Sequence, residues 1–319
     1  MAAAIEVREL HKRYGDLHAL RGVSFTVAPG EVFCMLGPNG AGKTTCTEIL
    51  EGHRVPSSGV VRVLGLDPAR GERALHERIG VVLQSCGIQH DLTVGELITM
   101  YGSYYPRRRS VGELIELVEL DAKAGTRAEA LSGGQRRRLD LALALVGDPD
   151  VLFLDEPTTG FDPHARRAAW STIRSLCSLG KTVFLTTHFM DEAQHLADRI
   201  VVMRAGEIVA EGTPEDLGGR ERLPTEIRFI APEGFRPDDL PQLPPDAALE
   251  RDGESVLIRC SEGLRAAHAI CGWALERSLE LRAFSVAQPT LEDVYLRLTE
   301  AAEAPAGLSL HEREGARGR

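Results

Sequence analysis

The feature that most constrains this chain is an apolar run, EVFCML at 31–36, that passes directly into Gly37-Pro38-Asn39-Gly40-Ala41-Gly42-Lys43-Thr44 and then into a helical stretch. The octapeptide fits G-x-x-x-x-G-K-[ST], and its place between a strand and a helix is the context that pattern requires. Its glycines let the backbone curl so that successive N–H groups point inward at phosphate oxygens, and the helix adds its positive end. In such a loop Lys43 bridges the β- and γ-phosphates and the Thr44 hydroxyl holds Mg²⁺. Alone, the loop implies a nucleoside triphosphatase and leaves the subtype open.

Short apolar and β-branched runs alternate with helical segments as far as about Val209, the pattern of a parallel sheet covered by helices. VLFL at 151–154 and TVFLTT at 182–187 are, like 31–36, near-continuous apolar runs, as strands covered on both faces are. Ligands of such sheets bind beyond the carboxyl ends of the strands, so Gly37–Thr44, Asp155–Glu156 and His188 are predicted to converge on one site. From about Ser85 to Ala130 the strand signal fades, and Leu97, Met100, Tyr101, Tyr104 and Tyr105 recur at helical spacing. That stripe reads either as the core of a helical subdomain or as a docking surface for another protein. Ser132 is a natural helix N-cap, and Gly133 and Gly134 leave backbone amides open to an anion.

After Gly219 the texture changes. Residues 231–250 carry five prolines; SVLIRC (255–260), a helical stretch around Leu264–Ser278 and LRAFSV (281–286) then predict a small α+β domain. The predicted organisation is 1–220 for the nucleotide-binding part, with a helical subdomain at about 85–145, then 221–300 for the accessory domain and 301–319 for a disordered tail.

A length of 319 residues accommodates about two domains, at roughly 100–200 residues each. The net charge of −10 argues against nucleic-acid binding, which needs a surplus of Lys and Arg on one face. No stretch approaches the roughly 18–20 apolar residues that cross a bilayer. The start, MAAAIEVREL, lacks the charged-then-apolar order of a signal peptide, so a cytosolic location is predicted. The six cysteines (Cys34, Cys46, Cys86, Cys177, Cys260, Cys271) form no C-x-x-C pair and read as small buried hydrophobes.

Leu131-Ser132-Gly133-Gly134-Gln135, taken with the phosphate loop, resembles the signature motif of ABC ATPases. Asp155 and Glu156 after VLFL are similar to the Walker B aspartate and catalytic glutamate of that family, and Gln84 after VVL to its Q-loop glutamine. Thr-Thr-Gly-Phe-Asp (158–162), ending in Asp162, resembles the D-loop; His188 resembles the switch histidine, and Tyr14 the aromatic that stacks on adenine. The resemblance implies an α/β fold: a P-loop (RecA-like) ABC ATPase core with a helical subdomain, followed here by the small α+β domain. It implies ATP and Mg²⁺ as ligands, with Gly37 through Lys43, Thr44, Thr45 and Tyr14 on the nucleotide, and Thr44, Gln84 and Asp155 toward the metal. Catalysis would fall to Glu156 and His188 with Lys43 and Gln84. Ser132, Gly133, Gly134, Gln135 and Asp162 would act on ATP held by a second copy in a head-to-tail homodimer.

Thr186–Arg199 and Pro-Thr-Leu-Glu-Asp-Val-Tyr (289–295) are similar to the ATPase subunits of daunorubicin-resistance-type exporters, partners of ABC-2-type membrane proteins. That implies ATP-driven efflux of a small hydrophobic compound from the cytoplasmic face of the membrane. Residues 289–295 also read as a capped helix that merely closes the small domain. The competing class is a soluble ABC ATPase acting on DNA or the ribosome; the long coiled coil or second ATPase core usual there is not found in the sequence. A regulatory ATP-binding protein is a third reading, with which an intact Glu156 agrees poorly.

Overall fold

The computed structural model describes residues 2–82, 89–232 and 234–301. The chain divides into two compact units, Met1–Pro214 and Glu215–Arg319.

The first unit opens with a hairpin, β1 (Ile5–Tyr14) and β2 (Leu17–Val27), turned at Gly15. Next come β3 (Val32–Leu36), α1 (Lys43–Leu50), β4 (Ser58–Val63), α2 (Arg73–His76) and β5 (Ile79–Val82). Three helices follow: α3 (Val94–Gly102), α4 (Val111–Leu117) and α5 (Gly133–Leu145). Then β6 (Val151–Asp155), α6 (Pro163–Ser178), β7 (Thr182–Thr187), α7 (Met190–Leu196), β8 (Arg199–Arg204) and β9 (Glu207–Gly212) complete it. One sheet has the order β5-β6-β7-β3-β8-β9, parallel except for its β9 edge.

The expected parallel sheet therefore forms, and the N-terminal region departs from it. β1, β2 and β4 make a separate antiparallel sheet of order β2-β1-β4. The physical reason shows in β2, where buried and exposed residues alternate toward its end. One face is solvated, as antiparallel strands allow and covered parallel strands do not. β3 and β7, by contrast, are buried at every position. Phe25 of β2 lies 5.0 Å from Phe33 of β3, which is 5.7 Å from Phe184 of β7. Each buried phenylalanine contributes roughly 1.5–3 kcal/mol relative to exposure, so this stack fastens the small sheet to the large one.

α3 and α4 each begin with a reciprocal capping box, Thr93 with Glu96 and Ser110 with Glu113. Along the stripe on this region Leu97 is buried, Met100, Tyr101 and Tyr105 are half-buried, and Tyr104 is exposed. Among the described residues no helix is long and apolar enough to cross a membrane.

The second unit carries β10 (Thr225–Ile230), β11 (Ala248–Asp252), β12 (Ser255–Cys260), α8 (Gly263–Glu276), β13 (Arg282–Ala287) and α9 (Leu291–Ala301). Its antiparallel sheet, β11-β12-β10-β13, packs Ile227, Phe229, Val256 and Ile258 against Ala266, Ile270 and Trp273 of α8. The Thr290 hydroxyl accepts from the Asp293 N–H at 3.2 Å and donates to the Asp293 carboxylate at 2.6 Å, capping α9, which buries Leu291 and Val294. The tail predicted at 301–319 lies, past Ala301, outside the described residues.

The cysteine reading holds for Cys34, Cys46 and Cys260, which are buried; Cys177 and Cys271 are only half-buried, and Cys86 lies outside the described residues. Burial pushes the Cys46 thiol up to about 12 and that of Cys177 to about 11, so both stay protonated and unreactive at neutral pH.

Candidate functional site

Strand order brings the site together. β7 lies between β6 and β3, with Asp155 opposite Thr186 and Met35 opposite Thr186 on the other side. At about 4.8 Å per strand, the end of β6 is then roughly 10 Å from the start of the phosphate loop. The loop, Asp155–Glu156 and His188 thus emerge at one edge, as predicted for the carboxyl ends of a parallel sheet.

Beyond that edge is an open cavity of about 570 Å³ lined by Tyr14, Asn39, Gly40, Gly42, Lys43, Thr44, Thr45, Asp155 and Glu156. Leu17, His18, Ala19, Arg21 and Ala205 complete the wall, and sequence reasoning missed all of them. Two basic residues, Arg21 and Lys43, and two acidic ones, Asp155 and Glu156, are among the lining residues. Tyr14, at the end of β1, is partly exposed, with the Lys12 ammonium 5.0 Å and the Arg54 guanidinium 5.6 Å from its ring centre.

The loop is built to curl tightly. Gly42 caps α1 at φ 105, and a Cβ there would meet the Ala19 carbonyl oxygen at 2.6 Å. A Cβ on Gly37 would meet the Met203 carbonyl oxygen at 2.5 Å. Neither position accepts a side chain without moving backbone. Lys43 is buried and donates to the carbonyl oxygens of Gly37 at 2.7 Å and Pro38 at 3.1 Å, so its ammonium is folded back over the loop. Burial lowers the Lys43 pKa from its ordinary value, while the carboxylates of Glu156 and Asp155 oppose the shift.

Glu156 has φ 47, in the left-handed region that a non-glycine residue enters at a cost. Its amide donates to the Thr186 carbonyl at 3.0 Å and to the Thr186 hydroxyl at 3.3 Å, which fixes the unusual turn. The same Thr186 hydroxyl donates to Asp155. The Glu156 carboxylate contacts His188 Nδ1 at 3.0 Å through one oxygen and accepts from the Thr159 hydroxyl at 3.2 Å through the other. Arg137, on α5, donates to the backbone carbonyls of Asp155 at 3.0 Å, Glu156 at 3.3 Å and Pro157 at 3.2 Å. Nothing in the run Arg136-Arg137-Arg138 distinguished the middle arginine beforehand.

Ser132, Gly133, Gly134, Gln135 and Asp162 do not line the cavity. Ser132 and Gln135 form a reciprocal capping box at the start of α5. A Cβ on Gly133 would meet nothing within 4 Å, and one on Gly134 only the Ala165 Cβ at 3.9 Å. Asp162 caps α6 by accepting from the His164 and Ala165 amides, both at 2.9 Å. The Ala165 bond is foremost among the causes that lower its pKa. Gln84 lies outside the described residues.

Known proteins share both the sequence and the fold. Residues 20–159 match the ABC transporter family, and residues 225–290 the family described as ABC transporter domain-containing protein-like, C-terminal domain. The chain is 42% identical to the Nod factor export ATP-binding protein I of Rhizobium meliloti (strain 1021), over 93% of this chain and 88% of that protein. It is equally 42% identical to the protein of that name from Paraburkholderia xenovorans (strain LB400), over 93% and 97%. The structure resembles cbiO1 from Clostridium perfringens, part of the ABC transporter complex cbiONQ, with a TM-score of 0.62, 29% identity and coverage of 68% of this chain and 90% of that one. It also resembles an ATP-binding cassette solved as a dimer in a post-hydrolysis state bound to ADP and Pi, with a TM-score of 0.59, 25% identity and coverage of 66% and 98%. With a phosphate loop, an acidic strand end and a histidine meeting as they do, and relatives that match along 93% of its length, this chain belongs to the ABC transporter family as an ATP-hydrolysing, ATP-binding subunit.

Proposed function

We propose that this chain powers the export of a small hydrophobic compound through separate membrane subunits of the ABC-2 type, working as a head-to-tail homodimer at the cytoplasmic face of the membrane. The observation that carries the reading is that none of Ser132, Gly133, Gly134 and Gln135 lines the cavity that holds the phosphate loop. Gly133 and Gly134 have room for a side chain, and nothing among the described residues demands glycine there. Their smallness serves something that approaches from outside, and phosphates on a second copy's loop fit that need.

In this reading Gly37 through Thr45 wrap the phosphates, Lys43 lies over the β- and γ-phosphates, and Tyr14 offers a flat face to adenine. Thr44 and Asp155, oxygen donors on one cavity wall, suit a hard divalent cation; Mg²⁺ bound there would neutralise charge on the transferred phosphoryl group. Gln84 is assigned to the same cation and the attacking water from its sequence position alone. Glu156 takes a proton from that water, and His188, 3.0 Å away, orients the carboxylate and can reach the γ-phosphate. Ser132, Gly133, Gly134, Gln135 and Asp162 close over the partner copy's nucleotide.

Export is supported by the names of the relatives, each an export ATP-binding protein matched across both units of this chain. The daunorubicin-type reading of the cargo as a drug rests on residues 186–199 and 289–295. The segment from about Gln84 to Tyr105 is assigned to a short cytoplasmic helix of the membrane subunit, so that closure of the dimer moves it. Reconstituting the full chain with its membrane partner in vesicles tests the proposal: ATP-dependent movement of a hydrophobic compound supports it, and full ATPase activity with no membrane partner at all argues for the soluble class.

A further inference from the structure

Glu192 is a carboxylate with no exposed surface, on α7 four positions after His188. One of its oxygens accepts from the Thr158 hydroxyl at 2.7 Å and from the Trp170 indole N–H at 3.2 Å. Thr158 is itself fully buried in the loop that follows Glu156, and Trp170 belongs to α6. A buried carboxylate is costly unless donors converge on it, and here they come from two separate segments. Burial raises its pKa, opposed by the hydrogen bonds from Thr187, Thr158 and Trp170 and by Arg166.

These contacts close a circuit. The Glu156 carboxylate touches His188, and the backbone runs from His188 into the first turn of α7 as far as Glu192. Glu192 holds Thr158, whose neighbour Thr159 donates its hydroxyl and its amide back to Glu156 at 3.2 Å each. Thr158 also accepts, through its carbonyl, from the Phe161 amide at 3.1 Å, just before the Asp162 cap of α6. The ends of three elements are thereby set relative to one another by one side chain.

We propose that Glu192 is a positioning residue for ATP hydrolysis: through the Thr158 hydroxyl it locks the Glu156 loop to the His188 helix, so that the carboxylate and the imidazole stay within hydrogen-bonding reach. It does not line the cavity and acts through Thr158, with the Trp170 indole holding the same carboxylate oxygen in place. The inference rests on Glu156 and His188 having the hydrolytic roles given above. Its signature is a loss of turnover without a loss of nucleotide binding, because the phosphate loop lies outside the circuit.

The test compares Thr158→Val, which keeps the shape and removes the hydroxyl, with Thr158→Ser, which keeps the hydroxyl, in the full-length protein. Steady-state ATPase kinetics and thermal melting are read together. Thr158→Val is expected to lower kcat about tenfold or more with KM for ATP nearly unchanged, and to lower the melting point by only a few degrees, the cost of one lost buried hydrogen bond. Thr158→Ser is expected to turn over close to the wild-type rate. Wild-type kcat in Thr158→Val overturns the proposal, and so does a Thr158→Ser as slow as Thr158→Val, since packing rather than the hydroxyl would then be at work. If Thr158→Val does not fold, Trp170→Phe, which removes the second donor to the same oxygen, is read by the same criteria. Glu156→Gln runs alongside: if it hydrolyses ATP normally the catalytic assignment falls, and the inference with it; if it is inactive while Thr158→Val is not, only the positioning role falls.

Discussion

His188 Nδ1 and a Glu156 carboxylate oxygen stand 3.0 Å apart, with the glutamate side chain largely buried and the histidine about one-third exposed. The contact joins the end of β6 to the end of β7 at the point where the phosphate loop opens. It fixes the carboxylate to which the proposed function gives the activation of water.

His188→Ala removes that contact without touching the loop. ATP affinity should stay within a few-fold of wild type and kcat should drop by about 10²–10⁴, the range for loss of a positioned acid–base partner. Equilibrium nucleotide binding and single-turnover hydrolysis, measured on the same preparation, separate the two effects.

Lys43→Met should act on binding as well as turnover. The buried ammonium is held by the Gly37 and Pro38 carbonyls, and the substitution leaves both without that donor while removing the charge that faces the phosphates. ATP affinity should fall by roughly tenfold or more, since one hydrogen bond to a charged group contributes about 1.5–3 kcal/mol. Calorimetric titration with ATP checks it, and unchanged affinity would remove Lys43 from the phosphate site.

Glu51, at the end of α1, gives a stability prediction of known sign. Its side chain is almost completely buried beside His53 Nδ1 at 3.0 Å. Burial, helped by the charges of Asp155 and Glu48, pushes the carboxyl from 4.5 up to about 8. Below pH 4.5 both folded and unfolded chains hold the proton; between there and about 8 the unfolded chain has released it and the folded one has not. The folded state therefore binds more protons, and stability falls as pH rises through that window. Glu51→Gln should remove this slope, with a gain of roughly 4–5 kcal/mol at pH 8 and none below pH 4.5, in denaturant unfolding across pH.

Much of the site was legible because its chemistry is local in sequence. The octapeptide 37–44 carries its own geometry, and β3 and β6 are apolar at nearly every position while β7 joins Val183, Phe184 and Leu185 to threonines, as covered strands do. The N-terminal sheet was not legible as a separate layer. β1 and β2 mix polar and apolar residues, and their pairing is set by the hairpin at Gly15 and by β4, more than thirty residues on. In the second unit β10 and β11 escaped notice: β11 is largely exposed and charged, ALERD, and its strand character comes from its partner β12. Glu192 and Arg137 were missed for a related reason. A charged residue in a helix is usually solvated, and only the tertiary structure reveals that Glu192 has no exposed surface and that Arg137 reaches three backbone carbonyls.

Ser132→Arg probes the outer face of the signature segment. The change loses the cap of α5, worth about 1 kcal/mol, and fills the space left open beside Gly133 and Gly134. Nucleotide binding to the single chain should survive and ATPase activity should vanish; filter binding and phosphate release read the two separately.

Light scattering of Glu156→Gln with and without Mg-ATP tests most directly whether two copies enclose each nucleotide. The single chain has a mass of 34.7 kDa, and the account predicts that the variant doubles in mass when Mg-ATP is added, stays doubled because it cannot hydrolyse, and does neither once Ser132→Arg is introduced. A Glu156→Gln protein that hydrolyses ATP at the wild-type rate while remaining a single chain would contradict it.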